Sequence, residues 1–260
     1  TTTGIENVAN GASTLQNNSS GNFNVAIGMA ALQDNSVGSG NTAVGRYALT
    51  NNLSANNNTA IGVQAMETNT IGVDNTAVGG GSMRSNTTGN SNTALGMVTL
   101  NKNTIGTFNT ALGQAALNGN TEGNHNTGVG SNSLFANSIG LQNTGVGQGS
   151  LINNTSGSYN VAVGQSSMAT NTTGDFNSAL GQSSGWNSAD LDNTTAIGYD
   201  AGGAVNANNR IEMGNTSVSV IAGQVAFSTY SDMRIKDNVR EDVPELSDVR
   251  RLRIEEAPAC

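Results

Sequence analysis

Apolar and polar positions recur along this chain in columns rather than in runs. Asn24-Val25-Ala26-Ile27-Gly28 returns as Asn41-Thr42-Ala43-Val44-Gly45, then at Asn58 and Asn75, and continues through Asn92, Asn109, Asn126, Asn143, Asn160 and Asn177. Each step is seventeen residues, without an insertion. Degraded copies begin at Asn7 and at Thr194. A strict period in this range marks a solenoid or another repeat array.

Within one coil, Asn24 to Gly40, two columns are aliphatic. Ile27 leads Val44, Ile61, Val78, Leu95 and Leu112 up the stack, and Leu32 leads Leu49, Met66, Met83, Leu100 and Leu117. The positions just before them are small, namely the Ala26 and Ala31 columns. The Met29 column mixes Met, Arg, Val, Gly and Gln and reads as surface. This is period-two alternation, which predicts short strands with one aliphatic and one small face. Asn24 to Ile27 is expected as one strand and Ala30 to Gln33 as the next, with Gly28 at the corner. The aliphatic columns are the expected filling of a thin core. A Gly at every coil's corner implies positive φ or no room for a side chain.

The Asn35 column is the second corner. Asn tolerates the left-handed region and bonds to its own turn, and stacked in register it builds amide ladders. Gly38 and its counterparts make a third corner, broken only by Ala55. Coils of this kind stack as parallel strands about 4.8 Å apart, so twelve give a rod on the order of 55 Å long. One aliphatic pair per coil is a poor core, so each coil depends on its neighbours. Both strand faces are uncharged. One is expected inside the coil and the other against identical chains in a parallel homotrimer, intertwined or side by side, with the choice of face left open by the sequence.

Composition narrows the function. Asn, Gly, Thr and Ser dominate and aromatic residues make up only 4%. Such composition can mean disorder, but disorder needs no register. The net charge of −8 argues against a nucleic-acid partner. Nothing resembles a signal peptide or a membrane span, so no membrane insertion is expected. The sequence starts without Met and in mid-pattern, and is expected to be a piece of a longer protein. Cys260 stands alone, which excludes an intrachain disulfide. His125 is the only histidine and has no ligand cluster beside it. No metal and no cofactor are expected. The carboxylates Asp34, Glu67, Asp74, Glu122 and Asp175 share no column, whereas a glycosidase needs a placed pair. An enzyme acting on an external substrate is therefore not expected. The variable column of Phe23, Phe108, His125, Tyr159 and Phe176 reads as solvent-facing corner residues covering neighbouring coils, with sugar binding as the alternative.

The pattern fails at Gly185-Trp186-Asn187, where the lone Trp is expected to cap the roll. Residues 1–200 read as the β-roll, 201–230 as a β-rich neck and 231–260 as a further segment. Arg210 to Asn215, Ser217 to Ile221 and Gln224 to Ser228 read as strands. A short C-terminal helix is signalled by Asp242 as N-cap, Pro244 in the first turn and Glu245 at capping-box spacing. Val243, Leu246, Val249 and Leu252 form its stripe.

Two resemblances attach to these residues. The Asn-Thr-Ala-Val-Gly coils resemble the left-handed parallel β-roll of YadA-like trimeric adhesin heads. Gly214-Asn215-Thr216-Ser217-Val218, the stretch from Ser231 to Val239, and Leu252-Arg253 are similar to the junction into the intramolecular chaperone of phage tail fibres and endosialidase tailspikes. The second resemblance implies a chaperone that drives trimerisation, and self-cleavage by a Ser with a Lys five residues on. Ser231 and Lys236 occupy those positions. A Lys with a depressed pKa can act as base toward a hydroxyl. Read from the residues alone, Ser231-Asp232 equally caps a turn, with Lys236 in solvent.

The expected function is structural: the trimeric shaft or head of a phage tail fibre or related injection-system fibre that attaches to a host surface. It would sit on the virion or outside the cell, with itself as first partner and a host glycan or protein as second. The alternatives are a bacterial cell-surface trimeric adhesin and an ice-binding solenoid, the latter from the single rank of Thr42, Thr59, Thr76, Thr93 and their successors.

Overall fold

The computed structural model describes residues 3–185, 188–203 and 207–221. Thirteen three-residue strands run in sequence order from β1 (Val8–Asn10) and β2 (Val25–Ile27) to β12 (Thr195–Ile197) and β13 (Ile211–Met213). They form one parallel sheet with neighbours consecutive throughout. Val25 faces Thr42, Ala26 faces Ala43 and Ile27 faces Val44, and this seventeen-residue register holds up to β12. The described residues contain no helix. The chain is a parallel β-solenoid, and its coils belong to a compact unit, Thr1–Val218, distinct from a second that starts at Ser219.

Gly28 turns the chain out of each strand. Its φ is +124, and a Cβ there would lie 2.7 Å from the carbonyl carbon of Gly45 one coil on. Both reasons for Gly therefore hold at this corner. At the Gly38 corner only the second holds. There a Cβ would meet the Asn35 Oδ1 at 2.5 Å, without a positive φ.

The second predicted strand is absent. Residues 29–34 form successive turns, with Ala30 at φ 57 and Leu32 at φ 49. A bulky residue in the left-handed region costs about 1–2 kcal/mol, and here it swings the Leu32 side chain into the lumen, where it is fully buried. The coil still bonds to its neighbours on this side. Leu32 and Asp34 N–H donate to Ala48 and Thr50 O at 3.0 and 2.8 Å.

The assignment of the core also changes. From the second coil on, Ala26 and its column point inward and are buried, together with Ala31, Leu32 and their counterparts. The Ile27 column points out, as alternation along a strand requires once Ala26 is inside. A coil of seventeen residues has room for one Leu or Met and two Ala, and burying each Leu contributes about 1.5–3 kcal/mol. Where Gly145 replaces the inward Ala, the space goes to hydroxyls. Ser133 Oγ donates to Gly145 O at 2.9 Å and lies 2.9 Å from Ser150 Oγ.

The Asn35 column does form the expected ladder, with regular rather than left-handed φ. Asn35 Nδ2 donates to Asn18 Oδ1 below at 2.9 Å and to Gly38 O in its own turn at 2.9 Å. A second ladder, in the Asn24 column, runs beside it. Asn41 N and Nδ2 both donate to Asn24 Oδ1, at 3.0 and 3.2 Å, and Nδ2 also reaches Ala55 O at 2.8 Å. Both columns are buried from Asn18 to Asn177. At the C-terminal end β13 alters the pattern. Arg210 stands before Ile211 where the ladder Asn is due, and Glu212 pairs with Ala196. Their side chains face each other at 3.5 Å and close the core with a polar pair.

Arg210 to Asn215 contains β13 as expected. Ser217 to Ile221 is not a strand. Val218 N–H donates to Asn215 O and Ser217 N–H to the Asn215 side chain, which closes a turn instead. Trp186, the strand expected at Gln224 to Ser228, the Ser231–Lys236 pair and the helix expected after Asp242 lie outside the described residues.

Candidate functional surface

The strands present one outward face with two parallel ranks. The first is Val25, Thr42, Thr59 and their successors, and the second is Ile27, Val44, Ile61 and theirs. Thr or Val at the first position and Val, Ile or Leu at the third both favour extended backbone. The pleat then places both on the side opposite the buried Ala. In the second rank Ile27, Ile61, Leu95, Leu112, Leu180 and Ile197 are exposed by 39–54%. Twelve strands of this width make a patch of about 600 Å², at the upper end of what a monomer leaves uncovered. Toward the C-terminal end the face dips into a hollow of about 230 Å³ lined by Val161, Val163, Leu180 and Ile197 with Ser178 and Thr195. No strand residue of β2 to β12 carries a charge.

The corner column of Phe23 lies at φ 58 and is exposed, which projects its rings into solvent. Phe108 stacks on His125 and Tyr159 on Phe176, each pair with ring centroids 4.9 Å apart. Consecutive rings therefore cover one another, as the reading of corner residues covering neighbouring coils requires. Stacking takes up one face of each of these four rings.

The described residues contain no cluster of three or more His, Cys, Asp or Glu able to hold a metal, and no helix among them is long and apolar enough to cross a membrane. Glu67 is joined to Arg84 at 2.7 Å, one coil away. Asp34 and Asp74 accept from Asn17 and Asn57 on the coils below. These carboxylates are rungs between coils rather than an acid–base pair. Ser231 and Lys236 fall outside the described residues. The sequence reading missed the Asn24 ladder, although the unbroken recurrence of that Asn was its signal.

Fold and surface together define the class: a parallel β-solenoid rod whose distinctive feature is an uncharged, half-apolar sheet face. No protein-family model and no curated protein matches the sequence. Among solved structures, the collagen-binding domain of the Yersinia adhesin YadA is similar at 18% identity. The match covers 98% of this chain and 99% of that one, with a TM-score of 0.30. Nothing about function is transferred at that score, and the surface of this chain has to supply it.

Proposed function

We propose that this chain is the rod of an extracellular, homotrimeric structural protein of the cell-surface adhesin type. The outward strand face carries the reading. It is continuous over twelve coils, free of charge, and at the upper end of the patch size a monomer leaves uncovered, where such patches are often functional. Three copies turned toward a common axis would bury both ranks in a parallel prism. The number three is what the resemblance to trimeric adhesin heads implies. Corners and turns then remain outside to meet a host-surface glycan or protein. The same rod would serve as the shaft of a phage tail fibre if the segment after Ser231 acts as a chaperone. Self-cleavage separates the two. A Ser231-dependent shortening of the extended chain, abolished by Lys236→Ala, would favour the virion.

Sedimentation of the purified protein tests the assembly. The expected mass is three times the 26.3 kDa chain. Leu95→Lys with Leu112→Lys, both outward, should abolish the threefold mass with the circular dichroism unchanged. A wild-type protein that stays at one chain when concentrated would overturn the proposal.

One observation favours a second reading. The Thr rank and the aliphatic rank lie side by side on one sheet face, an arrangement that can order water as an ice-binding face would. It needs that face uncovered, so it holds only for a monomer, and thermal hysteresis in a freezing assay decides it.

A further inference from the structure

The side of the coil between the Asn35 and Asn41 corners repeats every two coils, not every one. At the position after the Ser36 column, Val37, Ile71, Ile105 and Ile139 alternate with Ser54, Thr88, Glu122 and Ser156. The four aliphatic residues are exposed by 48–53%. They form knobs about 9.6 Å apart with a gap between each pair, since coils are spaced about 4.8 Å apart. The hydrogen bonding follows the same two-coil unit. Asn56, Asn90 and Asn124, from the gap coils, accept from the backbone N–H of Ser39, Val73 and Thr107 on the knob coils below.

The backbone N–H groups of the knobs on this side are paired between coils. Thr70, Thr87, Thr104 and Thr121 hydroxyls each donate to the carbonyl one coil on, at 3.0 Å. Ile71 and Ile105 N–H donate to Thr87 and Thr121 O. The knobs therefore bring no unpaired backbone N–H into a contact, which lowers the usual cost of burying polar backbone. Between residues 36–39 and 155–158, the ridge positions of these eight coils carry a single charge, Glu122, on a chain whose net charge is −8.

We infer that this ridge docks the ridge of a second copy of the chain, antiparallel, with knobs entering gaps. A surface with a two-coil period is complementary to itself when shifted by one coil, and an antiparallel two-fold axis between Thr88 and Ile105 supplies that shift. Ile105 then meets the partner copy at Thr88 and Ile71 meets it at Glu122. Ile139 meets Ser54 and Val37 meets Ser156, so every knob faces a gap. A partner without this period would meet knobs and gaps alike. Eight coils bury about 800 Å² in total, which places the contact among weak associations. The ridge is separate from the strand face, so pairing here does not depend on how many copies meet there.

Paired cysteines test the register, because a disulfide forms only when Cβ atoms come within about 4 Å. In a Cys260→Ser background, Ile71→Cys with Glu122→Cys should oxidise to a species of twice the chain mass on a denaturing gel. Ile71→Cys alone should not, since its counterpart in the second copy sits about 14 Å along the rod. Wild-type protein should also show a concentration-dependent doubling of mass that Ile105→Thr with Ile139→Thr removes. Failure of the pair to link, equal linking by Ile71→Cys alone, or a doubling that survives Ile105→Thr with Ile139→Thr would overturn the inference.

Discussion

Replacing Asn109 by Ala would remove one rung of a buried ladder, and the structure fixes what is lost. Asn109 Nδ2 donates to Asn92 Oδ1 at 3.1 Å and to Gly123 O at 2.8 Å. Its Oδ1 accepts from Asn126 N at 2.9 Å and Asn126 Nδ2 at 3.2 Å. Three of the four partners keep another bond. Asn92 Oδ1 still accepts Asn109 N–H, Gly123 O still accepts Asn120 Nδ2, and Asn126 Nδ2 still reaches Gly140 O. Asn126 N–H loses its acceptor inside a fully buried rung. An orphaned buried donor costs about 1–3 kcal/mol and each of the other three bonds about 0.5–1.5 kcal/mol, so the sum is about 2.5–7.5 kcal/mol. With a urea slope of about 2 kcal/mol/M, the midpoint should fall by about 1–4 M. The assay is urea unfolding followed by circular dichroism, at one protein concentration so that assembly does not shift the result. Asn153→Ala, on the surface with one bond to Ala169 O, is the control and should cost about 1 kcal/mol or less. If both variants unfold together, the ladder does not hold the roll.

Asn109→Asp should be pH-dependent. Burial raises the new carboxyl's folded pKa above the unfolded value of about 3.9. Stability would then be retained below that value and lost as pH rises through the raised one, as unfolding midpoints between acid and neutral pH would show. Gly79→Ala should abolish the roll, because Gly79 has φ +135 and a Cβ would run into Gly96 O. Gly80→Ala next to it meets nothing nearer than Val63 O at 3.9 Å and should be neutral, and thermal melts of the two variants compare them directly. Gly145→Ala should overpack against Ser133 Oγ, 2.7 Å from the added Cβ. A cost of about 1–3 kcal/mol is expected, and Ser133→Ala with Ser150→Ala should recover it in a double-mutant cycle. Leu117→Ala should cost about 2–5 kcal/mol by leaving a void on the axis.

The period, the Gly28 corner and the Asn35 ladder were legible because each is repeated in every coil. Which strand face lies inside was not, because both faces are uncharged and alternation is symmetric between them. The sign lay in size. The Ala26 column never exceeds Ala, as a lumen shared with Leu32 demands, while from Ile27 on the neighbouring column varies among Val, Ile and Leu because nothing within the chain encloses it. The turn at residues 29–34 was hidden for a different reason. Leu is a poor left-handed residue, so its pattern read as a strand, and only the stacked geometry compensates its φ of 49. The strand face as a candidate interface followed from the repeat, whereas the two-coil ridge needed the exposures to separate knobs from gaps.

The central claim, that three parallel copies meet in register along the strand face, is tested most directly by spin-label distances. Labels on Thr42→Cys near one end and Thr195→Cys near the other, each alone in a Cys260→Ser background, report on both ends of the rod. Facing sheets pack about 10 Å apart, so like labels should lie within about 20 Å of each other at both positions. A short distance at neither end, or at one end only, would contradict the parallel assembly.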